Sequence, residues 1–241
     1  EIGVAHIGLG AFHRAHQAVF FDDALRHSRT LGICATLPHD PAAAQALAAQ
    51  DGLFTVTTCA AARETRVVGA IRAAFAPADP GFIARASAPT TRLITLTVTE
   101  KGYCRAGDGG LDVDYPGIRA DLAGGAKDQT MPGLLVRILE ARRAAAAGPV
   151  AVVSCDNLPG NGAALRRVAV EFARARNGGL GSWIEDHVLF PDTMVDSITP
   201  ASDAALHAHL EMEYGVSDAC AVQREPFSAW VIDRQADVFA P

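Results

Sequence analysis

Ile2-Gly3-Val4-Ala5-His6-Ile7-Gly8-Leu9-Gly10-Ala11-Phe12-His13-Arg14-Ala15-His16 is the stretch that decides the fold. Its first six residues read as a short strand. Gly8-x-Gly10 follows, and then a helical stretch over residues 12–26, where Ala15, Val19, Phe20 and Ala24 recur at helical spacings. Residues 31–37 form a second strand-like run, and Pro41 opens an Ala-rich helix to residue 50, with proline in its tolerated first-turn position. A β-α-β-α opening predicts a parallel, doubly wound sheet. In such a sheet the first glycine of the turn permits its tightness. The second lets the backbone approach a pyrophosphate resting on the positive end of the helix. The third glycine of the usual G-x-G-x-x-G would fall at position 13, which is His13. A plain glycine turn is the competing reading.

Outward from this start, residues 54–59 and 65–71 are short strand-like runs around a polar turn, expected to pair as a hairpin or as an antiparallel edge beside the main sheet. A short helix is predicted over 80–86 and a β-prone run over 92–99. Residues 104–128, rich in Gly and Asp, read as a long surface excursion. A helix over 131–147, a buried strand over 150–155 and a helix over 163–176 follow. An extended segment over 188–199, a helix over 204–213 and a last strand over 228–232 complete the chain. The whole reads as one α/β, Rossmann-like dinucleotide-binding domain over residues 1–241.

Bulk composition narrows the function. The net charge is −6 and no basic stripe tracks along the chain, which argues against nucleic acid as a partner. No apolar run approaches the roughly 18–20 residues of a membrane span, and no secretory signal is expected ahead of the first strand. The five cysteines, Cys34, Cys59, Cys104, Cys155 and Cys220, form no CxxC pair and suit buried free thiols in a reducing cytoplasm. The eight histidines are scattered, so no metal site is expected. His207 and His209, two apart on a helix, point to different faces.

Polar residues at strand ends are the candidates for chemistry, because ligands of open α/β sheets bind beyond the carboxyl ends of the strands. His13, Arg14 and His16 oppose the dipole of the helix they begin. Either an anion such as a cofactor phosphate sits there or they are solvated. Asp40, after the second strand, is placed either to bind the adenine ribose or to cap the helix that starts at Pro41. Thr97-Val98-Thr99-Glu100-Lys101-Gly102-Tyr103 and Ser154-Cys155-Asp156-Asn157 both follow apolar strands. Asp156, Asn157 and Asn161 are equally suited to forming a turn.

Taken together, these segments resemble the polyol-specific long-chain dehydrogenases, the family of mannitol 2-dehydrogenase and fructuronate reductase. The resemblance is carried by Gly8 to His16, Gln50-Asp51-Gly52-Leu53-Phe54, Thr97 to Tyr103 and Ser154-Cys155-Asp156-Asn157-Leu158-Pro159-Gly160-Asn161-Gly162. It continues in Met194-Val195-Asp196-Ser197-Ile198-Thr199-Pro200, Glu225-Pro226-Phe227 and Trp230-Val231-Ile232. It implies zinc-independent, NAD-dependent interconversion of a secondary alcohol and a ketone. Gly8, Gly10, Ala11, Phe12, His13, Arg14, Asp40, Thr97, Thr99, Glu100 and Asn157 would lie at the cofactor. Asn157 would hydrogen-bond the reacting oxygen, with Asp196 beside substrate and cofactor. It also implies a helical second domain, absent from this chain, that carries the catalytic lysine, a second asparagine and a histidine. Residues 225–241 would lead toward it, and this chain alone would be inactive.

Lys101 and Lys127 are the only lysines, and neither matches the family's catalytic lysine motif. Glu100-Lys101-Gly102-Tyr103-Cys104 looks more like the fructuronate reductase branch, and a cation at Lys101 would suit a carboxylate substrate. A neutral polyol is the alternative substrate, and a non-catalytic dinucleotide-binding module is the alternative of another class.

Overall fold

The computed structural model describes residues 1–37, 41–125 and 127–233. The chain opens with β1 (Ile2–Ile7), α1 (Ala11–Ala15), α2 (Gln17–Ala24), β2 (Gly32–Thr36) and α3 (Pro41–Ala49). Then come β3 (Phe54–Cys59), β4 (Arg63–Val68), β5 (Ile71–Phe75), α4 (Pro80–Ala86) and β6 (Leu93–Leu96). α5 (Pro116–Leu122), α6 (Met131–Ala144), β7 (Val150–Ser154), α7 (Asn161–Arg176), α8 (Gly178–His187) and β8 (Val188–Leu189) follow. The last elements are β9 (Thr193–Asp196), α9 (Ala204–Tyr214), β10 (Val222–Arg224) and β11 (Ala229–Ile232).

Six strands form one sheet in the order β5-β2-β1-β6-β7-β8, and every pairing in it is parallel. The strand order reverses between β1 and β6, which opens a crevice at their carboxyl ends. Parallel strands covered on both faces read as near-continuous apolar runs, as Val150 to Val153 does. Alternate residues serve the two faces. Ala5, Ile7, Ile94, Leu96, Val150 and Val152 join a core with α6, α7 and α8, whereas Val4, Ile33, Leu93, Ala151 and Val153 join one with α1, α2 and α3.

Five expectations are corrected. The antiparallel hairpin forms, β3 with β4, but it does not edge the main sheet; with β10 parallel to β3 it makes a separate three-stranded sheet. The run expected over 65–71 is split at Gly69-Ala70, so that β4 stays with the hairpin while β5 enters the main sheet beside β2. Buried Asp218 holds the small sheet in place, accepting from the Thr55 amide at 2.6 Å, the Thr55 hydroxyl at 2.7 Å and the Cys220 amide at 2.7 Å.

The expected helix over 12–26 is two helices, broken at His16, whose φ −118° and ψ −86° are not helical. Residues 104–128 are not a bare excursion: they contain α5. Its buried Asp121 accepts from the Gln129 and Thr130 amides at 2.7 and 3.0 Å and from the Thr130 hydroxyl at 2.6 Å. Thr130 then caps α6 by accepting from the Gly133 amide. The extended segment over 188–199 is also divided, β8 pairing with β7 and β9 pairing antiparallel with β11.

Arg142 is the largest of the fully buried side chains, and it closes the connection from α6 to β7. Its guanidinium donates to the carbonyls of Ala88, Ala147, Gly148 and Pro149 at 2.9–3.1 Å. Removing the donors leaves buried acceptors without partners. Arg142→Met should therefore lower the unfolding free energy by about 3 kcal/mol, with a lower urea midpoint and an unchanged slope. A midpoint equal to that of the parent protein would show that water replaces the guanidinium without cost.

Candidate functional site

The turn after β1 is built on Gly8, whose φ of +113° is a backbone conformation that side-chain-bearing residues rarely adopt. A Cβ there would also stand 2.4 Å from the Thr97 carbonyl oxygen. The Gly8 and Leu9 amides both donate to the Thr36 carbonyl, at 2.9 and 3.2 Å, so β2 and β6 grip the turn from either side. Gly10 is different. A Cβ on it would meet nothing nearer than 3.8 Å, so the missing side chain leaves open space above the turn. Gly10 caps α1 without a side-chain bond, and the first amides of a helix have no carbonyl behind them. This cradle suits a phosphate-bearing ligand.

A cleft of about 350 Å³ lies beyond the carboxyl ends of β6, β7 and β9. It is lined by Phe12, Thr97, Val98, Thr99, Cys155, Asp156, Asn157, Val195, Asp196 and Ser197. Five expected residues, Phe12, Thr97, Thr99, Asn157 and Asp196, thus meet in one place from four distant segments. Glu100 and Lys101 do not join them. They begin a 3-10 turn, Glu100–Tyr103, and line a second pocket of about 550 Å³ with Cys104, Arg105, Asp112 and Tyr115. Asp40 lies outside the described residues.

The two readings of the Asp156-Asn157 turn divide between its residues. The Asp156 carboxylate is the hub: it accepts from the Tyr103 and Ser154 hydroxyls, from the Leu158 amide at 3.1 Å and from the Asn161 side-chain amide at 2.9 Å. Asn161 is wholly buried, and its carbonyl oxygen accepts from the Thr193 amide at 2.9 Å, which ties α7 to β9. Asp156 and Asn161 are therefore the turn formers. Asn157 makes none of these bonds and stands exposed on the cleft wall.

His13 and Arg14 occupy different environments. His13 is fully buried, its ring stacked 3.3 Å from that of His6 at 13°. Burial, aided by His6, Arg14 and His16, holds its pKa well below the ordinary histidine value. His13 is thus neutral and does not present the positive charge expected from its place at the helix start. Arg14 folds back on the glycine turn, donating to the Leu9 carbonyl at 3.3 Å. His16, at the helix break, bonds the Ala229 carbonyl at 3.0 Å and stacks on Phe12.

Sequence reading passed over His6, Thr95 and the hub role of Tyr103. His6 is wholly buried in β1, and burial lowers its pKa to about 3. Its Nδ1 faces the Thr95 hydroxyl at 2.7 Å. Its Nε2 faces the Gly8 carbonyl at 3.1 Å and the Thr97 hydroxyl at 3.0 Å. The available signal was polarity out of place: a histidine inside an apolar strand, and Thr95 and Thr97 alternating with Ile94 and Leu96 along and just past β6. The five cysteines are free thiols, four of them buried, and among the described residues no helix is long and apolar enough to cross a membrane.

The chain is similar to known proteins over nearly all of its length. The mannitol dehydrogenase Rossmann domain matches residues 2–239. Mannitol 2-dehydrogenase of Cereibacter sphaeroides is 40% identical over 239 residues, which cover 96% of this chain and 50% of that protein. D-mannonate oxidoreductase of Escherichia coli is 36% identical over 242 residues, covering 97% of this chain and 50% of that protein. The solved structure of Pseudomonas fluorescens mannitol 2-dehydrogenase in ternary complex with NAD and D-mannitol superposes with a TM-score of 0.90 at 39% identity. It covers 97% of this chain and 49% of that one. The chain spans about half the length of the curated relatives it matches.

The buried histidines make stability depend on pH. Both have folded pKa values below the ordinary 6.5, so between the two values the unfolded chain binds protons that the folded chain does not. Stability is then lost as pH falls below 6.5 toward about 3. His6 contributes a slope of about 1.4 kcal/mol per pH unit in that window, and His13 adds to the loss in the same direction. Urea unfolding across a pH series checks this, and a free energy that stays flat below pH 6.5 would contradict it.

Proposed function

The chain belongs to the mannitol dehydrogenase family through its Rossmann domain, and on that premise we propose that it is the cofactor-binding half of an NAD-dependent oxidoreductase that interconverts a sugar-derived secondary alcohol and a ketone. The observation that carries this reading is the meeting of Phe12, Thr97, Thr99, Asn157 and Asp196 in one cleft at the strand-order reversal. Gly8 and Gly10 with the start of α1 would hold the cofactor's pyrophosphate, in the space that the absent Gly10 side chain leaves open. Asp40 would select NAD, since its carboxylate repels a 2′-phosphate. The cofactor, when bound, accepts or donates the hydride.

Asn157 does the chain's own part of the chemistry. It is exposed to the cleft and free of the turn's bonds, so its amide N–H groups are available to an oxygen that gains negative charge. Asp156 and Asn161 hold the turn beneath it. Asp196, at the end of β9, faces the same space. The resemblance implies that the lysine that exchanges the hydroxyl proton lies in the other half of the longer relatives, so this chain alone would bind cofactor without turnover.

A neutral polyol suits this cleft better than a uronate. Two carboxylates, Asp156 and Asp196, line it, and no basic side chain stands among its described lining residues. A substrate carboxylate would meet like charge. The uronate reading rests on Lys101 and on the similarity to D-mannonate oxidoreductase, but Lys101 lies in the second pocket.

The deciding assay uses the natural full-length protein in a reducing, cytoplasm-like buffer. It should reduce fructose with NADH, more slowly with NADPH, and act on fructuronate less efficiently. Preference for fructuronate would restore the uronate reading. Binding of NADH with no turnover of any polyol or ketose would leave a non-catalytic module.

In that protein Asn157→Ala should lower kcat roughly 100- to 1000-fold, the cost of one lost donor to a developing oxyanion, with an unchanged melting temperature. Asn157→Asp should be at least as damaging, because an ionised carboxylate only accepts. Activity retained by Asn157→Asp would return Asn157 to the turn formers.

A further inference from the structure

The interior of a parallel sheet is served best by apolar side chains, and a buried imidazole carries a desolvation cost that they do not. His6 nonetheless stands in the middle of β1 with no exposed surface. Opposite it in register is Thr95 of β6, also without exposed surface. These polar groups, with Thr97, form one connected network whose end point is the Gly8 carbonyl oxygen. That oxygen accepts from the Thr97 hydroxyl at 2.6 Å, from the Gly10 amide at 2.6 Å and from His6 Nε2 at 3.1 Å. A carbonyl oxygen only accepts, so Nε2 carries the proton. Nδ1 then accepts from the Thr95 hydroxyl, and the neutral tautomer is determined throughout.

From this geometry, and resting on the dinucleotide reading above, we propose that His6 is a positioning residue for the cofactor site. It clamps the Gly8 carbonyl down onto β6, so that Gly10 and the first amides of α1 stay presented to the pyrophosphate. His13 extends the clamp. Its ring lies flat on His6 and carries the setting of the turn into the helix that follows. Neither ring of the pair touches the cleft, so their effect is exerted through the backbone of the turn. The groups facing His6 are Thr95, Thr97 and the Gly8 carbonyl from β6 and the turn, and His13 from α1, with no carboxylate among its described partners.

The test is NADH titration by fluorescence on the chain and three variants, with melting temperatures recorded for each. His6→Phe keeps a ring for His13 to lie on and removes the clamp. It should weaken NADH binding about tenfold, the net worth of a buried hydrogen bond. His6→Gln restores a donor toward Gly8 and should recover most of that loss, which a purely space-filling role would not allow. Thr95→Val removes the partner of Nδ1 far from the cleft and should weaken binding by a smaller factor.

Wild-type affinity in a folded His6→Phe protein, or a Gln variant no better than the Phe variant, would overturn the proposal. If His6→Phe fails to fold, the Thr95→Val titration decides: reduced affinity supports the clamp and unchanged affinity overturns it. A parent chain that takes up no NADH would sink the dinucleotide reading itself, and this proposal with it.

Discussion

Everything at the site depends on how closely β1 and β6 approach where the strand order reverses. At Gly8 the backbone takes a left-handed φ, and the Thr97 carbonyl occupies the volume that a side chain would fill. That approach lets Thr97 and His6 reach one carbonyl oxygen. It also sets the direction in which the chain leaves the sheet for α1. The crevice between the diverging crossovers then opens above the turn, and the ends of β6 and β7 supply its walls. A parallel sheet offers such a crevice only at a reversal of strand order, because elsewhere the crossovers on either face close over the strand ends.

The opposite wall is organised by the same economy. One carboxylate, Asp156, gathers four donors from the 3-10 turn, β7, the segment after it and α7. Its neighbour Asn157 is thereby relieved of any structural duty. Tyr103, buried completely, gives its hydroxyl to this hub, and burial beside that carboxylate raises its pKa. Ionisation of Tyr103 would place two negative charges together without solvent, so it remains a donor. The Asn157 amide can face open space because the residues beside it satisfy the turn on its behalf.

Much of this was legible in the sequence, and particular residues show why. Strand β1, the two glycines and the apolar run of β7 carry local signals: period, turn propensity and hydrophobicity act over a few residues. Thr97, Thr99 and Asn157 were placed by the rule that ligands gather at carboxyl ends of strands, Phe12 and Asp196 by the family resemblance, and the fold brings the five together. Other features were not local. The run after Thr65 looks like one strand, yet β4 and β5 belong to different sheets, since pairing partners far along the chain decide which sheet a strand joins. Residues 104–128 lack apolar periodicity, and they fold because Asp121 satisfies the start of α6.

By itself, then, the sequence determined the class of the fold, the position of the glycine turn after the first strand and the set of polar residues at its strand ends, because those follow from local geometry and burial pattern. Only the tertiary structure decided which of those residues share a cleft. It put Lys101 in a separate pocket from Asn157, made His13 neutral beneath the turn instead of charged beside it, and divided the Asp156-Asn157 pair into a turn former and a free amide. Charge state and direction depend on what packs around a side chain: His13 is held low by burial against His6 of β1, and Asp156 takes its donors from the 3-10 turn, β7 and α7.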